Sequence, residues 1–295
     1  MAAARLPPLP SPTMRARAPA SSANLGPGFD ALAVALACYV EVSVEPADRL
    51  RMATSGFGSE LPADAGHLAA RVAAAVAGHD RLFVEVHSDI PVGRGLGSSA
   101  ALAVAAAAAA GAEDPFAVGV AVDGHPENAA ASAMGGFVVA ADVGGHPVAR
   151  RLRLDPALRF VVVIPDRVLL TAAARAALPA TVAHADAAFN LGRMGLLVAG
   201  LADLREMLPE AGDDRLHQDA RSSLFPEAPA LLEGLRRAGA LTSCWSGAGP
   251  SLLAVCEAGR APAVAAAAET LLDEHGVVGH VRSLEADMGG VTLSA

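Results

Sequence analysis

The sequence predicts an α+β fold in two parts, and three observations lead there. Short strand candidates and alanine-rich helical runs alternate from Arg15 to about Asp142. Residues 142–156, a break rich in glycine, proline and charge, are followed at once by a new apolar strand, Phe160-Val161-Val162-Val163-Ile164-Pro165. Finally, 295 residues that are 53% hydrophobic suffice for two cores that share an interface.

Taken in order, residues 1–13 are proline-rich and lack the apolar stretch of a signal peptide, so a disordered extension is expected there. A strand-like segment follows and runs into Asn24-Leu25-Gly26-Pro27-Gly28-Phe29-Asp30, a kinked turn bearing one amide and one carboxylate. Such a turn suits a ligand, although Asn24 and Asp30 also suit turn and helix capping. The segments 38–45 and 82–88 alternate apolar and polar residues with a period of two, as half-buried strands do.

After the second of these comes Pro91-Val92-Gly93-Arg94-Gly95-Leu96-Gly97-Ser98-Ser99-Ala100-Ala101, and then an alanine-dominated helix to Ala110. This layout is a phosphate cradle. Glycines let the backbone approach an anion and adopt positive φ, and the first amides of the helix point outward with about half a positive charge behind them. Ser98 and Ser99 add hydroxyls that can bind phosphate or Mg²⁺. An ordinary strand-to-helix turn reads the same way locally.

Val122-Asp123-Gly124-His125-Pro126-Glu127-Asn128, too constrained for a plain helix, leads into Gly135-Gly136-Phe137. Acidic groups beside a phosphate loop suit Mg²⁺, while His125 and Asn128 equally suit a helix start. In the second part, helices are expected over 181–208, 226–238 and 261–275, a strand-turn over 241–256, and a closing strand near 277–284. Arg175 and Arg221 stand on mostly uncharged helical backgrounds, where an arginine can grip a carboxylate with two hydrogen bonds. The turn Trp245-Ser246-Gly247-Ala248-Gly249-Pro250-Ser251 can approach a loop of the first part.

Composition excludes several chemistries. All 22 basic residues are arginine, so the chain cannot build a Walker A loop, a protein-kinase site or a Schiff base on lysine. A net charge of −9 and a single tryptophan and tyrosine argue against nucleic-acid binding. No stretch is long and apolar enough for a membrane span, so a cytoplasmic enzyme is expected. Cys38, Cys244 and Cys256 sit in apolar contexts without metal-ligand spacing and are expected as buried thiols.

Together and in this order, ASSANLGPGFD, PVGRGLGSSAA, HPEN with GGF, and SGAGPS resemble the GHMP small-molecule kinases over residues 15 to 295. TxxxR with LP at 171–179, Phe189-Asn190, and LHQ followed by Arg221 are most similar to the homoserine kinases. The resemblance implies an N-terminal domain of the ribosomal-protein-S5-domain-2-like type over 14–155 and a ferredoxin-like domain over 156–295. It implies ATP phosphates on Pro91 to Ala101 and Mg²⁺ on Ser99 and Asp123. It further implies an L-homoserine pocket of Asn24, Asp30, Glu127, Asn128, Arg175 and Arg221, with Asp30 and Arg175 taking part in catalysis, and a homodimer. A zwitterion with one reacting hydroxyl needs both signs of charge beside a phosphate site, which agrees. The alternatives are another GHMP kinase, or a protein of this fold that only binds a metabolite. Where homoserine kinases commonly carry Glu-Gly-His-Pro-Asp-Asn, Asp123 and Glu127 here exchange acid lengths, moving each carboxylate by about 1.5 Å. Likewise, His67-Leu68 replaces the usual Asn-Leu ahead of the nucleotide-side helix.

Overall fold

A computed structural model of the chain describes residues 14–294; the extension expected over 1–13 lies outside the described residues. The first half forms β1 (Met14–Ala23), β2 (Leu32–Pro46), β3 (Arg51–Gly56), α1 (Leu68–Ala77), β4 (Leu82–Ser88), α2 (Ser98–Ala109), α3 (Pro115–Asp123), α4 (Pro126–Met134), β5 (Phe137–Val143) and β6 (His146–Leu152). The second half opens with β7 (Leu158–Pro165), α5 (Thr171–Ala176), α6 (His184–Ala202), α7 (Gln218–Arg221) and α8 (Ala228–Arg237). It continues with β8 (Thr242–Trp245), β9 (Leu252–Glu257), α9 (Ala261–Glu274), β10 (Gly279–Leu284) and β11 (Thr292–Ser294).

Seven strands form the first sheet, in the order β11-β1-β2-β4-β3, with β5 and β6 running on from β2. All its pairs are antiparallel except β3 with β4. The β1–β2 register shifts between Pro19 and Ala20, where a residue without an N–H cannot continue the ladder. The second sheet is antiparallel, in the order β10-β7-β9-β8. Alternate residues of β7 face opposite sides. Val161 and Val163 pack with Leu231, Leu235, Val264 and Leu272 from α8 and α9. Phe160, Val162 and Ile164 join Leu197 and Leu201 of α6 in a core that continues into β1, β2 and α2. The two sheets therefore share one apolar interior.

That interior surrounds α2, where Ala100, Ala101 and every residue from Ala103 to Ala109 are buried. Methyl side chains give this helix good intrinsic propensity and let neighbouring elements come close on all sides.

Several elements differ from expectation. The 122–128 stretch is two helices meeting end to end. Gly124 closes α3 in the left-handed conformation, and Pro126 opens α4 at a position where its missing N–H costs nothing, so Glu127 and Asn128 lie in a helical first turn. Over 181–208, only His184–Ala202 is helix, because Asp203 turns extended. Around Arg221 the helix is a single turn. After β10 the chain returns to the first sheet, a feature the sequence did not announce. The amide of Ala37 donates to Glu285 O, Asp287 N to Ala35 O, Gly136 N to Asp287 O, and Val291 N to Ala133 O, before β11 pairs with β1. A Cβ on Gly135 would overlap the backbone of Gly290 at this crossing. All three cysteines are buried free thiols. Among the described residues no helix is long and apolar enough to cross a membrane.

Candidate active site

The glycine-rich loop leaves β4 and ends on the N-terminus of α2, with Gly93, Gly95 and Gly97 all at positive φ. Each glycine is required by a close neighbour. A Cβ on Gly95 would overlap the Ser246 carbonyl oxygen, and one on Gly97 would overlap Ser21 Oγ. Ser246 Oγ also donates to Gly95 O (2.7 Å), so the 246–251 turn of the second half is laced to the loop as the sequence suggested. No side chain caps α2 and no acidic residue stands in its first turn. Its end is therefore left as an anion site.

Ser98 and Ser99 open on a cleft between the halves with about 690 Å³ of empty space including its mouth. Asn24, Asp30, Pro91, Gly93 to Ser99, Asp123, Glu127, Asn128, Arg175 and Arg221 all line it, joined by His125, Thr171 and the Gly247–Gly249 turn. Three residues named in the sequence do not. Ala100 and Ala101 are fully buried in the core, and Val92 lies on a neighbouring slot with Phe57, Leu61, His67 and Leu102, which Ser98 connects to the cleft. His67 also caps α1 through its own ring nitrogen.

The turn after β1 is strained. Asn24, Leu25 and Asp30 all adopt left-handed φ, a conformation costly for non-glycine residues and found where surrounding structure imposes it. Asn24 is part of that imposition: Nδ2 donates to Gly247 O (2.7 Å) and Oδ1 accepts from Asp30 N (3.0 Å). Its amide is a clamp between the halves as well as a cleft wall. Asp30 faces Arg175, which donates to its two oxygens at 3.0 and 2.8 Å. This fork raises the Arg175 pKa.

Glu127 is 1% exposed, and its Oε2 has no hydrogen-bond partner. Burial pushes its carboxyl up to about 7. The other oxygen accepts from Asn128 Nδ2 (3.3 Å), whose Oδ1 accepts from Ser21 Oγ (2.9 Å). Asp123 engages His125 through Oδ2 (3.2 Å), and this bond raises the pKa of His125. Arg221 is 2% exposed; burial foremost, and then Arg175, pushes its pKa down to about 10. It remains a cation at neutral pH. Phe29 stacks on His217 with centroids 5.0 Å apart and lies under both Arg175 and Arg221. Phe29 and His217 lie within the quoted motifs, but no local signal assigns them these contacts.

The chain is similar to known proteins over most of its length. Models of the GHMP kinases' N-terminal and C-terminal domains match residues 65–136 and 196–273. The homoserine kinase of Streptomyces avermitilis is 42% identical, over 85% of this chain and 88% of that one. The homoserine kinase of Desulfitobacterium hafniense is 35% identical, over 95% and 99%. Among solved structures, homoserine kinase from Cytophaga hutchinsonii superposes with a TM-score of 0.85 at 26% identity, covering 96% of this chain and 97% of that one. L. major mevalonate kinase shares the fold at a TM-score of 0.63 and 14% identity, over 92% and 95%.

Proposed function

This chain belongs to the GHMP kinases, among the homoserine kinases, and we propose that it transfers the γ-phosphoryl group of ATP to the side-chain hydroxyl of L-homoserine, giving O-phospho-L-homoserine and ADP. One observation carries the reading: a phosphate cradle and a set of side chains matching a zwitterion open on a single cleft. Homoserine offers a carboxylate, an ammonium and a hydroxyl. Arg221 and Arg175 suit the carboxylate, the unpartnered Oε2 of Glu127 suits the ammonium, and Asp30 suits the hydroxyl.

The slot lined by Phe57, Leu61 and Val92 suits the purine, because it adjoins the loop through Ser98. Magnesium fits the oxygens at the end of the loop. The Ser99 hydroxyl is exposed to the cleft and only one oxygen of Asp123 is engaged, so both can serve as hard donors. When bound there, the ion would neutralise charge on the phosphates.

In the reaction, the hydroxyl oxygen attacks the γ-phosphorus in line, the bond to the β–γ bridging oxygen breaks with that oxygen leaving on ADP, and the hydroxyl proton is released to solvent. Phosphoryl transfer asks a protein mainly for positioning and for stabilisation of charge on the moving group. The loop amides and the N-terminus of α2 supply the second, and the Asp30–Arg175 fork with Arg221 and Glu127 supplies the first.

The test is ADP release from ATP and Mg²⁺ in a coupled assay with L-homoserine, beside mevalonate, galactose, L-serine and L-threonine. Turnover specific to homoserine is expected. Turnover specific to another alcohol, or none with any, overturns the proposal.

A further inference from the structure

Arg221 is a long side chain on a helix of four residues, a poor platform for a guanidinium that must meet a carboxylate in a fixed orientation. What steadies it begins on α6. Asn190, 3% exposed, donates from Nδ2 to Asp214 Oδ1 (2.7 Å) and accepts from Arg215 N (2.8 Å). The fully buried carboxylate of Asp214 then accepts three backbone amides, from Leu216 (3.0 Å), His217 (2.8 Å) and Gln218 (2.8 Å). With each of its oxygens receiving two donors, it fixes the turn that opens α7.

That turn delivers the His217 ring, whose side chain is fully buried. Nδ1 lies 2.9 Å from Arg221 Nη1, and Nε2 lies 2.8 Å from Gly26 O. Arginine only donates and a carbonyl only accepts, so the ring is neutral, with its proton on Nε2. Asp214 Oδ2 is 3.7 Å from Nε2, too far to compete for that proton. Nη1 of Arg221 donates in addition to Gly247 O (3.1 Å). The guanidinium is thus held by one end, and its buried Nε has no partner.

We propose that Asn190, Asp214 and His217 are positioning residues that lock Arg221 by Nη1 and so hold the rest of its guanidinium, where it lines the cleft, towards the carboxylate of the amino-acid substrate. The proposal rests on the homoserine reading above. The relay then sets affinity for homoserine and leaves the nucleotide side alone, because among the described residues Asn190, Asp214 and His217 make no hydrogen bond to the 91–99 loop or to the slot beside it. A merely structural role would instead weaken both substrates together.

The experiment measures kcat and the separate KM values for L-homoserine and ATP in the wild type, His217→Leu, His217→Asn, Arg221→Met and the double variant H217L/R221M. His217→Leu is expected to raise the homoserine KM about 10- to 100-fold with the ATP KM within about twofold. His217→Asn keeps an acceptor where Nδ1 stood and is expected to restore the homoserine KM to within about threefold. In the Arg221→Met background, His217→Leu is expected to add less than twofold, since its effect passes through the guanidinium. Asn190→Ala, at the far end of the relay, provides a milder variant, expected to raise the homoserine KM about 3- to 10-fold with ATP unaffected. Equal rises in both KM values, failure of His217→Asn to rescue, or an undiminished penalty in the double variant overturns the proposal. A wild type inert towards homoserine overturns the kinase reading, and this inference with it, before any variant is compared.

Discussion

Glu127 carries a large electrostatic cost in the cleft. Its carboxyl is buried without a partner for Oε2 and rises from 4.5 to about 7. At about 1.4 kcal/mol per unit, ionising it in the substrate-free protein costs roughly 3 kcal/mol. The sign follows from linkage: the folded state holds this proton more tightly than the unfolded chain. The cost is absent below about pH 4.5, grows as pH rises towards 7, and is complete above it. Glu127→Gln is therefore expected to raise the melting temperature of the substrate-free protein at pH 8 by about 5 °C and to leave it unchanged near pH 4.5. If Glu127 meets the ammonium as proposed, the same variant should lose about 100-fold or more in kcat/KM for homoserine, because the ammonium would lose its counter-charge. Thermal melts at the two pH values and steady-state kinetics check both halves. A gain in stability independent of pH would contradict the account.

At the scale of elements, two glycines with nearly the same φ make a controlled comparison. Gly95 is at +72° and Gly78 at +74°, but a Cβ on Gly95 meets the Ser246 carbonyl, whereas one on Gly78 meets nothing within 4 Å. Gly78→Ala is expected to cost about 1 kcal/mol from conformation alone, with ATP KM unchanged. Gly95→Ala should cost about 2–4 kcal/mol and raise the ATP KM at least tenfold, as read by urea unfolding and kinetics. The glycine turn onto α2 was legible in the sequence because its signal is local: spaced glycines, two serines, and then a helix former. The same holds for the break before β7. The relay to Arg221 was not legible, although His217 lay in a noted motif. Its contacts join Gly26, Asn190, Asp214, His217 and Arg221, and hydrogen bonds across such separations leave no periodicity to read. Nor was β11, three exposed residues without alternation.

Across the whole molecule, the apolar interior decides how the halves unfold. Phe160, Val162 and Leu253 of the second sheet share a core with Ala18, Val40 and Val104 of the first half, and the segment after β10 is hydrogen-bonded back onto β2 and α4. Independent unfolding of either half would expose that shared surface. Urea unfolding followed by fluorescence of Trp245, which reports the second sheet, and by far-ultraviolet circular dichroism, which reports both halves, is expected to give midpoints coinciding within about 0.2 M. Separated transitions would show that the halves are energetically independent.

The alanine packing of α2 has a consequence for the transferring phosphoryl group. Liquid water stabilises a shifting charge only after its dipoles have turned, and that reorganisation is part of the barrier in solution. A helix buried along nearly its whole length through methyl side chains has little room to rock, so the amides at its N-terminus are held in place before any ligand arrives. On the proposed reading, dipoles already aligned would replace that solvent response, and the chain would achieve this with one of the smallest side chains available.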